Sequence, residues 1–134
     1  MTININEGDL IDKIRYQLSQ ISIDMADDII IHSSLEDSYE YIQMIVDEDV
    51  IEEWKVKRCL INLCSYDTYR NYCTLAEVEN TLPETATLNL STLLMKAYRC
   101  LSLISKYSLN EDLSIKDSTL PIPAWGSMSY SLIK

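Results

Sequence analysis

Four cysteines, a single histidine and a knot of carboxylates carry the most reactive chemistry in this sequence, and their spacing decides what they can do. Zinc is normally held by close ligand pairs on a turn, whereas Cys59 and Cys64 stand five apart and Cys73 nine further on, all within one expected helix. A five-residue helical step turns two thiols onto diverging faces. The cysteines, Cys100 included, therefore read as small buried hydrophobes. His32 belongs to a different expected helix, and no glycine-rich elbow or oxyanion motif supports a Cys–His nucleophile. The acids Asp47, Glu48, Asp49, Glu52 and Glu53 lack the spaced ligands and central glycine of a calcium loop, and read as a solvated, helix-capping run. Phosphate-cradling loops and dinucleotide fingerprints are missing as well. The expectation is a non-enzymatic chain with no catalytic residue, no metal and no cofactor.

The elements around these residues are helical. The chain has 134 residues, enough for one core and too few for two, with only two glycines and three prolines to build turns. Asp9 caps a first helix carrying Leu10, Ile11, Ile14, Leu18 and Ile21 at three- and four-residue steps. Asp24 caps a second, whose stripe runs Ile31, Leu35, Tyr39, Ile42 and Val46. A capping box of Asp49 and Glu52 opens a third, which buries Ile51, Trp54, Cys59, Leu60, Leu63, Cys64 and Tyr66 and extends to Ala76. Pro83 breaks the chain, and a fourth helix follows over residues 87–107 with Leu90, Leu94, Ala97, Leu101 and Ile104 on one side. Leu93, Tyr98 and Cys100 widen that stripe beyond what one neighbouring helix would cover. The N-terminal residues lack a basic and apolar leader pattern, and no apolar run approaches the roughly 20 residues of a membrane span. Free thiols in a reducing cytoplasm are the expected setting.

The last residues follow a different pattern. Leu120 and Ile122, and then Met128, Tyr130 and Leu132, keep apolar side chains on alternate positions, Trp125 and Ile133 add to them, and Pro121, Pro123 and Gly126 interrupt, which fits extended chain, an edge strand or a polyproline-like arm. So apolar a segment needs burial, either against its own bundle or in another molecule. The expected architecture is mainly α: a small bundle of about four helices over residues 1–110 and an extended C-terminal docking arm over 111–134.

Charge is uneven. Residues 1–53 hold 14 acids against two bases, residues 54–110 hold seven bases against four acids, and the whole chain carries −10. This counts against a protein that coats nucleic acid through a basic face, and it suits either head-to-tail packing between copies of one chain or charge pairing settled within the monomer. With no phenylalanine present, tyrosines must fill the core. Tyr66, Tyr69 and Arg70, with Tyr72, rank first as core, second as a subunit interface and third as a surface for single-stranded nucleic acid.

Residues 24–77 resemble the helical core of the small head–tail connector, or adaptor, proteins of tailed bacteriophages. The likeness rests on the acid-rich start at Asp27-Asp28, the segment through Leu35-Glu-Asp-Ser-Tyr39, and the long helix from Trp54 that ends in Tyr69-Arg70-Asn71. It covers about 50 residues and is helical and apolar in pattern. The resemblance implies a virion protein at the head–tail interface, assembled in host cytoplasm into a ring, commonly of twelve copies, beneath the portal. Such a ring extends the DNA channel and offers the tail its attachment surface. Portal and tail proteins become the expected partners, DNA passes without specific binding, and no membrane is involved. The acids Asp47, Glu48, Asp49, Glu52 and Glu53 suit an acidic surface or lumen that repels phosphate. Two rivals come from other classes: an acidic regulator that mimics DNA or sequesters a basic host protein, and a small helical enzyme or metal protein using His32 and the thiols.

Overall fold

The computed structural model describes residues 4, 8–19, 28–47 and 52–116. Four helices account for most of them: α1 (Gly8–Ser19), α2 (Asp28–Ile45), α3 (Glu53–Val78) and α4 (Ala86–Ile104). The chain is mainly helical, and no strand forms among the described residues beyond two isolated bridges. The expected arm from Leu120 to Ile133 lies outside the described residues, as do Ile21, Asp24, Glu48, Asp49 and Ile51.

Helix α3 is the axis of the bundle, and α1, α2 and α4 all pack on it. Its sequence explains the position. Residues 63–70 are buried without interruption, so this stretch is enclosed all round rather than along a single stripe, and its two charged residues, Asp67 and Arg70, pair with each other. Helix α1 contributes Leu10, Ile14 and Leu18, and α2 contributes Ile31, Leu35, Ile42 and Ile45. Each such side chain stabilises by roughly 1.5–3 kcal/mol on burial. Ser34 and Ser38 stand between those aliphatics on α2 and are also buried, and the Ser34 hydroxyl donates to Asp67 of α3.

Helices α3 and α4 form an antiparallel hairpin. Cys59 is disulfide-bonded to Cys100 across it, and further along Asn89 Nδ2 donates to the Tyr69 hydroxyl at 3.1 Å. At the turn, the Thr81 amide donates to the Ala76 carbonyl at 2.8 Å and the Asn80 amide to the Glu77 carbonyl at 3.2 Å. This is a Schellman closure. Asn80 takes the left-handed position at φ 58°, which asparagine tolerates better than most residues.

Several expectations need correction. Helix α3 starts at Glu53, with Glu52 in extended backbone at its N-cap and no side-chain cap bond. Trp54, expected in the core, is 56% exposed, because it sits in the first turn and its indole N–H donates outward to the Glu52 carboxylate. Helix α4 stops at Ile104 rather than 107. There Ser105 becomes extended and bridges Val46, while the Asp47 amide donates to Ile104 and the Lys106 amide to Ile45. Cys59 and Cys100 are not free thiols: their Cα atoms lie 5.4 Å apart, inside the bridging range, and only Cys64 and Cys73 remain unbonded.

Packing also continues past the expected domain boundary at 110. Residues 108–116 form a tight turn in which Leu109 bridges Ile115. Leu113 is 1% exposed, and its carbonyl accepts the Tyr41 hydroxyl. The first residues of the expected arm thus belong to the bundle.

Candidate functional site

The long middle helix brings two clusters of polar residues into view. One lies inside the bundle. Asp67 accepts from Ser34 Oγ of α2 at 2.7 Å and from the Arg70 guanidinium one turn on, and both charged residues are nearly inaccessible. Arg70 Nε is buried without a hydrogen-bond partner among the described residues. Asp37 on α2 stands near this pair. Partial burial raises its pKa above the ordinary carboxylate value, followed by the charges of Asp67, Glu40 and Glu36, while Arg70 opposes the shift. Cys64 lies beside the pair, with its sulfur 3.6 Å from the Ile31 carbonyl, and burial pushes its thiol up to about 12. Such a thiol is protonated and poorly nucleophilic at neutral pH.

These positions decide three of the sequence-derived candidates. Tyr66, Tyr69 and Arg70, ranked first as core and second as a subunit interface, are at most 2% exposed and face the interior of their own bundle. At this level α2 reaches α3 through Ser34, which donates to Asp67, and α4 reaches it through Asn89, which donates to Tyr69. His32 is part-exposed and pairs with Glu36 one turn away at 3.1 Å. The thiols divide as the helical step requires: Cys59 is bonded to α4, and Cys64 faces α2. Among the described residues no three potential metal ligands come together.

Of the acidic set, Asp47 is half-buried at the joint between the ends of α2 and α4, and Glu52 and Glu53 are exposed at the start of α3. Glu52 receives the Trp54 indole, and Glu53 lies 3.8 Å from Lys57. Glu48 and Asp49 lie outside the described residues.

The second cluster is on the surface. A groove of about 780 Å³ opens over α3 between residues of α1 and α4. From α3 it takes the quartet Trp54, Lys57, Arg58 and Ile61 together with Asn62, and from α4 the quartet Lys96, Arg99, Cys100 and Leu103. Both quartets follow the same helical spacing, i, i+3, i+4 and i+7, which sets each on one face of its helix. Lys13 and Gln17 of α1 complete the wall. Five of the chain's 11 basic residues meet here, and no described acid lines the groove.

The cations differ in their state. Lys13 is paired with Asp9 at 3.1 Å and Lys57 with Glu53. Arg58, Lys96 and Arg99 are exposed and have no carboxylate partner among the described residues. Lys55 adds positive charge beside the rim, its amino group 5.6 Å from the Trp54 ring centroid. Beside these cations the groove exposes Trp54 and Leu103, so an anionic surface with some apolar area would find both its needs met.

Sequence reasoning saw only the mild positive balance of residues 54–110. The two matched quartets were the available signal, and they need the α3–α4 pairing to become one surface. The chain matches no protein-family model, no curated protein and no solved structure. Among the described residues no helix is long and apolar enough to cross a membrane.

Proposed function

We propose that this chain is a structural assembly protein, a head–tail connector of a tailed bacteriophage that forms a ring under the portal, extends the DNA channel and provides the tail attachment surface. The observation that carries this reading is the open groove with three cations that have no carboxylate partner among the described residues, on a chain of net charge −10. A protein this acidic that keeps an uncompensated basic face is suited to hold an acidic protein neighbour. Work in the virion, with host cytoplasm as the place of assembly, follows from the same reading. The segment from Leu120 to Ile133 is proposed as a docking arm for portal or tail. Native mass and negative-stain imaging of the purified chain, alone and with a candidate portal, test the proposal. Rings that bind the portal support it. A chain that binds no portal, self-associated or not, overturns it.

A second reading, an acidic regulator of a basic host protein, draws on α2, whose outer side presents Glu36, Asp37 and Glu40 and which contains no Lys or Arg. Capture of a basic protein that is lost at high salt would favour it over apolar arm docking.

A further inference from the structure

The hairpin of α3 and α4 carries a second unusual surface at its opposite end. Leu75, Val78, Leu82 and Leu88 are 59%, 76%, 42% and 67% exposed around the turn. They make up half of the large hydrophobics left exposed among the described residues; Trp54 and Leu103 of the groove are two of the others. Glu77, Glu79 and Glu84 surround them, all exposed and without a basic partner among the described residues. No Lys or Arg occurs between Arg70 and Lys96. The tip is therefore apolar and acidic, and the groove is apolar and basic. From Arg58 to Val78 the helix rises about 30 Å, at about 1.5 Å per residue, which separates the two surfaces along one rigid rod.

We propose that the α3–α4 tip of one copy seats in the groove of a second copy. Leu75, Val78 and their neighbours cover Trp54 and Leu103, while Glu77 and Glu79 meet Arg58 and Arg99. Two different surfaces at opposite ends of one chain make the contact heterologous, and repetition closes into a ring or continues as a filament. Each surface alone is an exposed apolar patch with unbalanced charge; together each supplies what the other lacks. This contact rests on the self-assembly part of the connector reading and names the surfaces that perform it.

Charge reversal tests it on the full chain by sedimentation velocity. The wild-type chain should associate with concentration, and raising salt from about 0.05 M to about 0.5 M should weaken that association at least tenfold. The groove variant Arg58→Glu with Arg99→Glu, and the tip variant Glu77→Lys with Glu79→Lys, should each be monomeric alone. Mixing the two should restore assembly, because every contact in the mixture again pairs opposite charges. Val78→Ser and Leu103→Ser, at exposed positions that do not support the core, should each weaken association severalfold without changing the helical spectrum. A wild-type chain that stays monomeric, variants that assemble unaltered, or a mixture that stays monomeric would each overturn the contact. A monomeric chain that still binds a portal would sink this contact and leave the connector reading standing. Head-to-tail assemblies that ignore portals would do the reverse.

Discussion

Tyr41 on α2 donates its hydroxyl hydrogen to the carbonyl of Leu113, a residue 72 positions later in the chain. Leu113 sits at φ 73°, a backbone state costly for leucine, so the contacts around it must hold it there. The Asn110 carbonyl accepts from the Leu113 amide at 2.9 Å, and the Asp112 carboxylate accepts from the Ser114 amide at 3.0 Å. Burial raises the Tyr41 phenol well above its ordinary pKa, with the charge of Asp112 adding to the shift. A chain ending at Lys116 keeps this latch. One ending at Asn110 loses a fully buried leucine and should be less stable than the longer chain by about 3 kcal/mol in urea unfolding. Tyr41→Phe leaves the Leu113 carbonyl without its donor and should cost about 1–3 kcal/mol.

The buried pair of Asp67 and Arg70 makes a sharper prediction. Arg70→Met strands a carboxylate among buried side chains and should destabilise by about 3–5 kcal/mol. The double change Asp67→Leu with Arg70→Met removes both charges and should recover most of that loss. A double-mutant cycle by urea unfolding measures the difference. If the single and double variants were equally unstable, packing rather than charge pairing would account for the cluster.

Asp37 predicts a pH dependence of the opposite sign to the usual carboxylate. Its folded pKa is raised, first by partial burial and then by Asp67, Glu40 and Glu36. The folded chain therefore holds the Asp37 proton more tightly than the unfolded one. Ionising it costs stability as pH rises from its unfolded value, near 3.9, through the raised folded value. Asp37→Asn should stabilise the protein at pH 7, and the gain should vanish at pH values below the unfolded pKa. Unfolding curves of both proteins across that window test the sign.

The Cys59–Cys100 bond closes a loop with a sequence separation of 41 residues. Chain-entropy reasoning puts its stabilisation at roughly 4 kcal/mol, and reduction should lower stability by about 2–4 kcal/mol. Without reductant, unfolded protein should show two titratable thiols, Cys64 and Cys73. Native protein should show neither reacting quickly, because both are buried and burial raises both thiol pKa values. Four rapidly reacting thiols in unreduced native protein would contradict the bond.

Helical content and much of the core were legible because they are local properties. Leu10, Ile14 and Leu18 recur at helical spacing and are buried on α1, and Leu60, Leu63 and Cys64 do the same on α3. Pro83 marks the break between α3 and α4 as its missing N–H requires. The register of a side chain on its own helix needs only the 3.6-residue period, so it can be read from one strip of sequence.

Other features depended on which helix lies beside which. Tyr69 and Arg70 have the composition of an interface, yet both are buried within the bundle. Cys59 finds Cys100 only because α3 and α4 are antiparallel in that register. Trp54, Lys57 and Arg58 become one surface with Lys96, Arg99 and Leu103 by the same pairing. Composition and periodicity determined that this chain would be helical, acidic and built on a long central helix. Tertiary structure alone decided where its uncompensated positive charge gathers, because that depends on distances between residues some 40 positions apart, which no local period encodes.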